Sequence, residues 1–140
     1  VREHWDKIDL DDRAECLQYM MECGRLRQPV RKTPRLVTED EAPFTVKIEG
    51  KDETFPVGTT VLVPNQFAMV DEGVWGPTAF EFNHKRPGLA EKFMAFNSVG
   101  NRTNGRICPG RSIVFQMIPD LIRECGKMRR QPDFKHKAKK

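Results

Sequence analysis

The sequence predicts an α+β fold. Three observations point to it. A segment beginning at Asp11 or Asp12 carries Leu17, Met20, Met21 and Gly24 at helical spacing. Two runs rich in β-branched residues, 44–48 and 59–63, are separated by glycine-bearing turn signals. Near the end, Ile113, Met117, Leu121 and Cys125 recur every four residues. The chain has 140 residues, the length of one domain.

The first helix is expected to be capped by Asp11 or Asp12 and to stop before Pro29, because the residue ahead of a proline disfavours helical backbone. Residues 29–43 read as an extended connection, basic and then acidic. The alternating run Phe44-Thr45-Val46-Lys47-Ile48 predicts a strand, with a turn at Gly50-Lys51-Asp52. Residues 59–63 predict a second strand, and the two are expected to pair as a hairpin. Residues 66–70 suit a short helix. Residues 71–79, with two glycines and a proline, read as a loop, and residues 89–110 as an irregular segment. A last helix is expected over residues 109–128, with Pro119 inside it causing a kink or local adjustment.

Hydrophobic residues make up 38% and charged residues 31%, with a mean hydropathy of −0.62. This is the composition of a soluble globular chain. No stretch approaches the ~20 apolar residues of a spanning helix, and the N-terminus has no signal-peptide pattern. The absence of an initiator methionine suggests a fragment or a processed product. Net charge is +4, and it is local. Residues 123–140 carry eight basic and two acidic side chains, which leaves the first 122 residues at −2. Residues 1–128 are therefore read as one structural portion and 129–140 as a basic tail. Aromatics do not interleave with these basic residues, so nucleic acid is not an expected partner. Cys16, Cys23, Cys108 and Cys125 form no CxxC pair, which disfavours a zinc knuckle. They read as free thiols, and all but Cys108 as packing residues.

Three groups of residues carry chemistry. Glu22 and Arg25 stand three apart on the first helix and can pair on one face. Phe82-Asn83-His84-Lys85-Arg86 follows Trp75-Gly76-Pro77 and places an arginine beyond an aromatic anchor; its fork could meet the Glu22 carboxylate. Arg106-Ile107-Cys108-Pro109-Gly110-Arg111 opens the last helix. A cysteine just ahead of a helix N-terminus meets the positive end of the dipole and free backbone N–H groups, which stabilise a thiolate. Pro109 suits the first helical position, and Gly110 would permit close approach of a flat ligand. A nucleophilic cysteine would want a histidine partner, and none of His4, His84 and His136 has supporting context.

In this order and spacing, the chain resembles the C-terminal part of a cytochrome P-450, the haem-thiolate superfamily. Glu22-x-x-Arg25, Leu26, Pro29 and Arg35 are similar to that family's K helix with the proline and arginine beyond it. Residues 59–63, Asp71, Trp75-Gly76-Pro77 and Phe82-Asn83-x-x-Arg86 are similar to the strand and meander. Arg106-x-Cys108-Pro109-Gly110-Arg111 is similar to the haem-binding loop leading into the L helix. The resemblance spans residues 17–125 and implies the C-terminal part of a mainly-α fold: K helix, β-hairpin, meander, haem loop and L helix.

The resemblance also implies roles. Cys108 would be the axial thiolate of the iron of haem b, favouring O–O cleavage. Arg106 and Arg35 would pair with the propionates. Phe96 and Gly110 would contact the cofactor. Glu22, Arg25 and Arg86 would form a buried structural triad. No catalytic side chain is assigned. The implied reaction is insertion of one O2-derived oxygen atom into an apolar, lipid-like substrate, with electrons from a reductase. The implied location is the cytoplasmic side, at the endoplasmic reticulum through an anchor outside this chain.

Some features depart from the family pattern. The family places a phenylalanine seven residues before the cysteine. Here Asn101 holds that position and Phe96 stands twelve before, as if the loop carried about five extra residues. A long haem loop is similar to the fatty-acid-hydroperoxide branch, the allene oxide synthases and hydroperoxide lyases, and gives the alternative reaction. His84 stands where the family usually has proline. The oxygen-activating I helix and the distal pocket have no counterpart, and the basic tail replaces a hairpin after the L helix. The remainder of its own polypeptide is thus an expected partner, and these 140 residues alone are expected to be inactive. A non-catalytic truncated relative serving as a binding module is the second alternative.

Overall fold

The computed structural model describes residues 2–100 and 107–131. A 3-10 helix, Arg2–Lys7, leads into α1, Arg13–Leu26. Of the two candidate caps, Asp12 is the one used. Its backbone is extended and its carboxylate accepts from Ala14 N at 2.8 Å. Beyond Leu26, Arg27 leaves helical geometry two residues ahead of Pro29.

The strands β1 (Thr33–Leu36), β2 (Phe44–Ile48), β3 (Lys51–Phe55) and β4 (Thr60–Val63) correct the expected hairpin. β2 pairs with β3, Ile48 opposite Lys51 and Phe44 opposite Phe55. The turn is Glu49-Gly50, at φ 50° and 82°. Two consecutive positive φ values make a tight two-residue turn whose twist matches the strands, so the chain folds back at once. Lys51-Asp52-Glu53-Thr54-Phe55 has weak strand propensity, which conceals it in the sequence. β4 pairs instead with β1, inside the segment expected to be a plain connection, with Thr33 opposite Val63 and Leu36 opposite Thr60. Pro34 sits in β1, as it can in a strand that is all edge.

Three short helices come next: α2 (Asn65–Ala68), α3 (Glu72–Trp75) and α4 (Leu89–Lys92). α3 lies within the expected loop; Asp71 caps it, accepting from Gly73 N at 2.8 Å. The small ladder of β5 (Met94–Ala95) and β6 (Ser98–Val99) precedes α5, Arg111–Arg130. Arg129 and Arg130, expected in the tail, complete α5, and residues 132–140 lie outside the described ones. Among the described residues no helix is long and apolar enough to cross a membrane.

α1 is the centre of the packing. On one side Met21 joins Met69, Trp75, Ala79, Leu89 and Phe93. On the other, Cys16 and Tyr19 join Ile8 and Leu10. Gly24 lets Phe93 approach, since a Cβ there would lie 3.2 Å from its ring. α5 packs on α1 and is tied to the segment ahead of α1 by Lys127–Asp11 at 2.6 Å and by Arg130 Nη2 donating to the carbonyls of Trp5 and Ile8 at 2.7 and 2.8 Å.

The period-four stripe of α5 does not form the core. Ile113, Met117 and Leu121 are 57, 63 and 55% exposed. The inward residues are Phe115, Pro119, Ile122 and Gly126, a second stripe with alternating four- and three-residue steps. α5 is therefore apolar on two faces, and the described residues cover one of them.

Candidate functional site

Glu22 is fully buried on the inner face of α1. Arg25, one turn on, meets it with both prongs: Nε to Oε2 at 2.7 Å and Nη2 to Oε1 at 2.8 Å. Asn83 N donates to the same Oε1 at 2.9 Å, and Arg86 Nε stands 3.6 Å away. The structure thus brings Glu22, Arg25 and Arg86 together from two distant parts of the chain. Two guanidinium groups share one carboxylate, so the cluster carries a net positive charge. Backbone carbonyls absorb it. Arg25 Nη1 donates to Met69 O and Ala79 O at 2.7 and 2.6 Å. Arg86 Nη2 donates to Thr78 O and Glu81 O at 2.7 and 2.9 Å, and Nη1 to Trp75 O at 3.1 Å. The irregular segment 69–86 is wound around these two side chains, each of which presents a planar fork of donors. Trp75 packs on the Arg25 guanidinium, 5.0 Å from ring centre to Cζ.

Beside this cluster lies an open groove of about 1610 Å³. Its walls come from α1, β1, the β5–β6 ladder and the first turns of α5, and include Met20, Pro34, Phe93, Val114 and Ile118. Cys108 lines it, three residues ahead of α5. Arg35 lines it from exposed β1, opposite Val61. Arg27 and Lys32, which sequence reasoning passed over, add two more cations. The signal for them was the basic cluster flanking Pro29.

Phe96 also lines the groove, although it stands twelve residues before Cys108. The backbone explains how. Cys108 N donates to Phe96 O at 2.8 Å, which brings the two backbones together. Phe96 and Cys108 are thus neighbours across that hydrogen bond. Phe96 has φ 58° and meets Phe115 edge to face at 5.5 Å. Gly100 anchors the loop at φ 57° against the Glu91 backbone, where no side chain would fit. Arg111 Nη2 donates to Gly100 O at 3.0 Å. Gly110 is in ordinary helical geometry, so its conformation does not demand glycine. Among the described residues a Cβ there would touch Cys108 Sγ alone, at 3.7 Å, an ordinary contact distance. Arg106 lies outside the described residues, as do Asn101 and His136.

A second thiol, Cys23, reaches the groove from α1. Burial pushes its pKa up to about 11, so it stays neutral near pH 7. His84 is not among the residues that line the groove with Cys108. It is buried against Glu15, Nε2 to Oε1 at 2.8 Å, and Lys85 adds a contact at 3.2 Å. The His84 hydrogen bond is the chief cause that holds the Glu15 carboxyl below its usual range. His4 stacks on Phe82 at 4.4 Å. Neither histidine serves Cys108 as a base. Among the described residues no three His, Cys, Asp or Glu side chains group as a metal site.

These donors suit a flat apolar macrocycle with an anionic edge. The Cys108 sulfur stands among apolar walls, and cations line the same groove. A haem iron takes four ligands from its porphyrin, so one protein thiolate suffices.

No protein-family model matches the sequence, and no curated protein matches it. Solved structures do. The CYP116B5 heme domain of Acinetobacter radioresistens is 23% identical with a TM-score of 0.68, over 94% of this chain and 28% of that one. Cytochrome P450 CREJ is 19% identical with a TM-score of 0.64, over 94% and 29%. Cytochrome P450-153 from Novosphingobium aromaticivorans is 17% identical with a TM-score of 0.62, over 86% and 27%. The chain spans little more than a quarter of the length of the structures it matches, and over that span it has the C-terminal part of the cytochrome P450 fold.

Proposed function

We propose that the chain is the haem-ligating part of a haem-thiolate monooxygenase that inserts one O2-derived oxygen atom into an apolar, lipid-like substrate. The observation that carries this reading is Cys108 lining a large apolar groove at the start of α5, with Phe96 held beside it. Cys108 would ligate the iron of haem b. Arg35, together with Arg106, would hold the propionates. Thiolate-ligated haem supplies oxygen activation when bound. The chain's own residues do the rest. Glu22, Arg25 and Arg86 hold segment 69–86 and α1 in place. Phe96 adds an apolar side to the groove beside the sulfur. The apolar walls exclude polar ligands from the cofactor's face.

The covering partner would be the remainder of the polypeptide, against the exposed stripe Ile113, Met117 and Leu121. Electrons would come from a reductase, on the cytoplasmic side of the endoplasmic reticulum. The test is haem titration of the full-length polypeptide carrying these residues. The reduced CO complex should give a thiolate-type Soret band, and Cys108→Ser should abolish it while leaving the fold intact. An unchanged spectrum in Cys108→Ser refutes the ligand assignment. Consumption of fatty-acid hydroperoxide without reductase or NADPH would instead place the chemistry with the hydroperoxide enzymes.

A further inference from the structure

Pro119 is fully buried in the middle of α5, yet the helix runs through it without interruption from Arg111 to Arg130. Proline has no N–H, so Phe115 O, four residues earlier, loses its helical donor, and the ring crowds that carbonyl outward. A stranded carbonyl at a helix–helix contact needs another partner. One arrives from outside the helix. Arg13, the first residue of α1, extends Nη2 to Gln116 O at 2.9 Å and to Phe115 O at 3.3 Å. Its Nε stands 3.7 Å from Oδ1 of Asp120, immediately after the proline, and Arg123 Nη2 stands 3.5 Å from the same oxygen.

We infer that Arg13 is a positioning residue that replaces the missing Pro119 donor. It thereby fixes the first half of α5, and with it the groove wall formed by Val114 and Ile118 and the Cys108 turn, onto the N-terminus of α1. The ion pair alone does not account for the arrangement. Arg13 and Asp120 are both about half exposed, and exposed pairs contribute little. The two carbonyls define the role, because one of them is free only where residue 119 is proline. The consequence at Cys108 rests on the haem-thiolate reading; the clamp between α1 and α5 does not.

The test is a double-mutant cycle in the full-length polypeptide with Arg13→Ala, Pro119→Ala and both together. Stability is read by urea unfolding, and local opening by hydrogen exchange of the amides of residues 116–123. Arg13→Ala should lower the folding constant roughly tenfold with Pro119 present, the loss of about one hydrogen bond from a charged donor. With Pro119→Ala in place, the same change should cost less than about threefold, because the helix then supplies its own donor. Equal losses in both backgrounds overturn the inference. If Arg13→Ala does not fold, Arg13→Lys replaces it in the cycle; it keeps the charge beside Asp120 but loses the fork. The second readout is the CO-complex Soret band. Arg13→Ala should diminish its thiolate-type component, and Pro119→Ala should restore it. If the wild-type polypeptide binds no haem, the cofactor reading fails while the folding cycle still decides the clamp.

Discussion

Glu22→Ala should be among the most damaging single changes in this chain. The carboxylate is fully buried and accepts three hydrogen bonds of 2.7–2.9 Å, two from Arg25 and one from Asn83 N. Arg86 Nε lies a further 3.6 Å away and has no other partner among the described residues. Removing the side chain leaves two buried guanidinium groups with no counter-charge. Breaking a buried pair in this way costs about 3–5 kcal/mol. A Coulomb estimate agrees: at ~4 Å and an effective dielectric of ~20, one pair contributes about 4 kcal/mol. The assay is urea unfolding followed by far-UV circular dichroism, with Glu22→Gln as a companion of the same shape that should show at least half of the loss. Arg86→Ala should then cost less in the Glu22→Ala background than in the wild type, because there it removes an unpaired charge. A loss below about 1 kcal/mol for Glu22→Ala, or strict additivity with Arg86→Ala, would refute the reasoning.

Further outcomes are expected. Glu15 has a folded-state pKa below its ordinary 4.5, chiefly because of the His84 hydrogen bond. The unfolded chain therefore binds the proton first, so this stabilisation is complete above about pH 4.5 and is lost as pH falls through the folded value. His84→Ala should flatten that acid limb of the stability profile, and an unchanged limb would remove His84 as the cause. Gly100→Ala should destabilise by at least about 1–2 kcal/mol, from the positive φ and the collision with the Glu91 backbone; thermal melting measures it. Met117→Gln and Leu121→Gln should leave the melting point of the isolated chain nearly unchanged, within about 0.5 kcal/mol, because both side chains are exposed. In the full-length polypeptide the same changes should destabilise if the rest of the chain covers this stripe. Equal behaviour in the two contexts would argue against that cover.

Local signals are legible where the interaction is local. Asp12 as a cap and Pro29 as a stop act within a turn of chain, and each stands at its expected place, whereas Pro109, expected as the first helical residue, stands two residues ahead of α5 because Gly110 takes the cap position. Pairing across distance is not legible. The strand at 44–48 is recognisable, but its partner is not, since the Glu49-Gly50 backbone and the polar strand Lys51-Asp52-Glu53-Thr54-Phe55 give little compositional signal. β1 is hidden because Pro34 disguises it, and its pairing with β4 closes a long loop that contains the whole β2–β3 hairpin.

By itself, the sequence determined the elements that local chemistry dictates: the capped first helix, the cysteine ahead of the last helix, and the apolar repeats of α5. Only the tertiary structure decided which of the two α5 stripes is the core. Both are apolar, and periodicity cannot distinguish a face packed on α1 from one left for another partner. Tertiary structure also decided that Phe96 stands beside Cys108, because a backbone hydrogen bond joins them across twelve residues of chain. It decided, too, that Arg13 answers Pro119. Contacts of that kind depend on two distant segments arriving at one place, and no spacing along the chain records them.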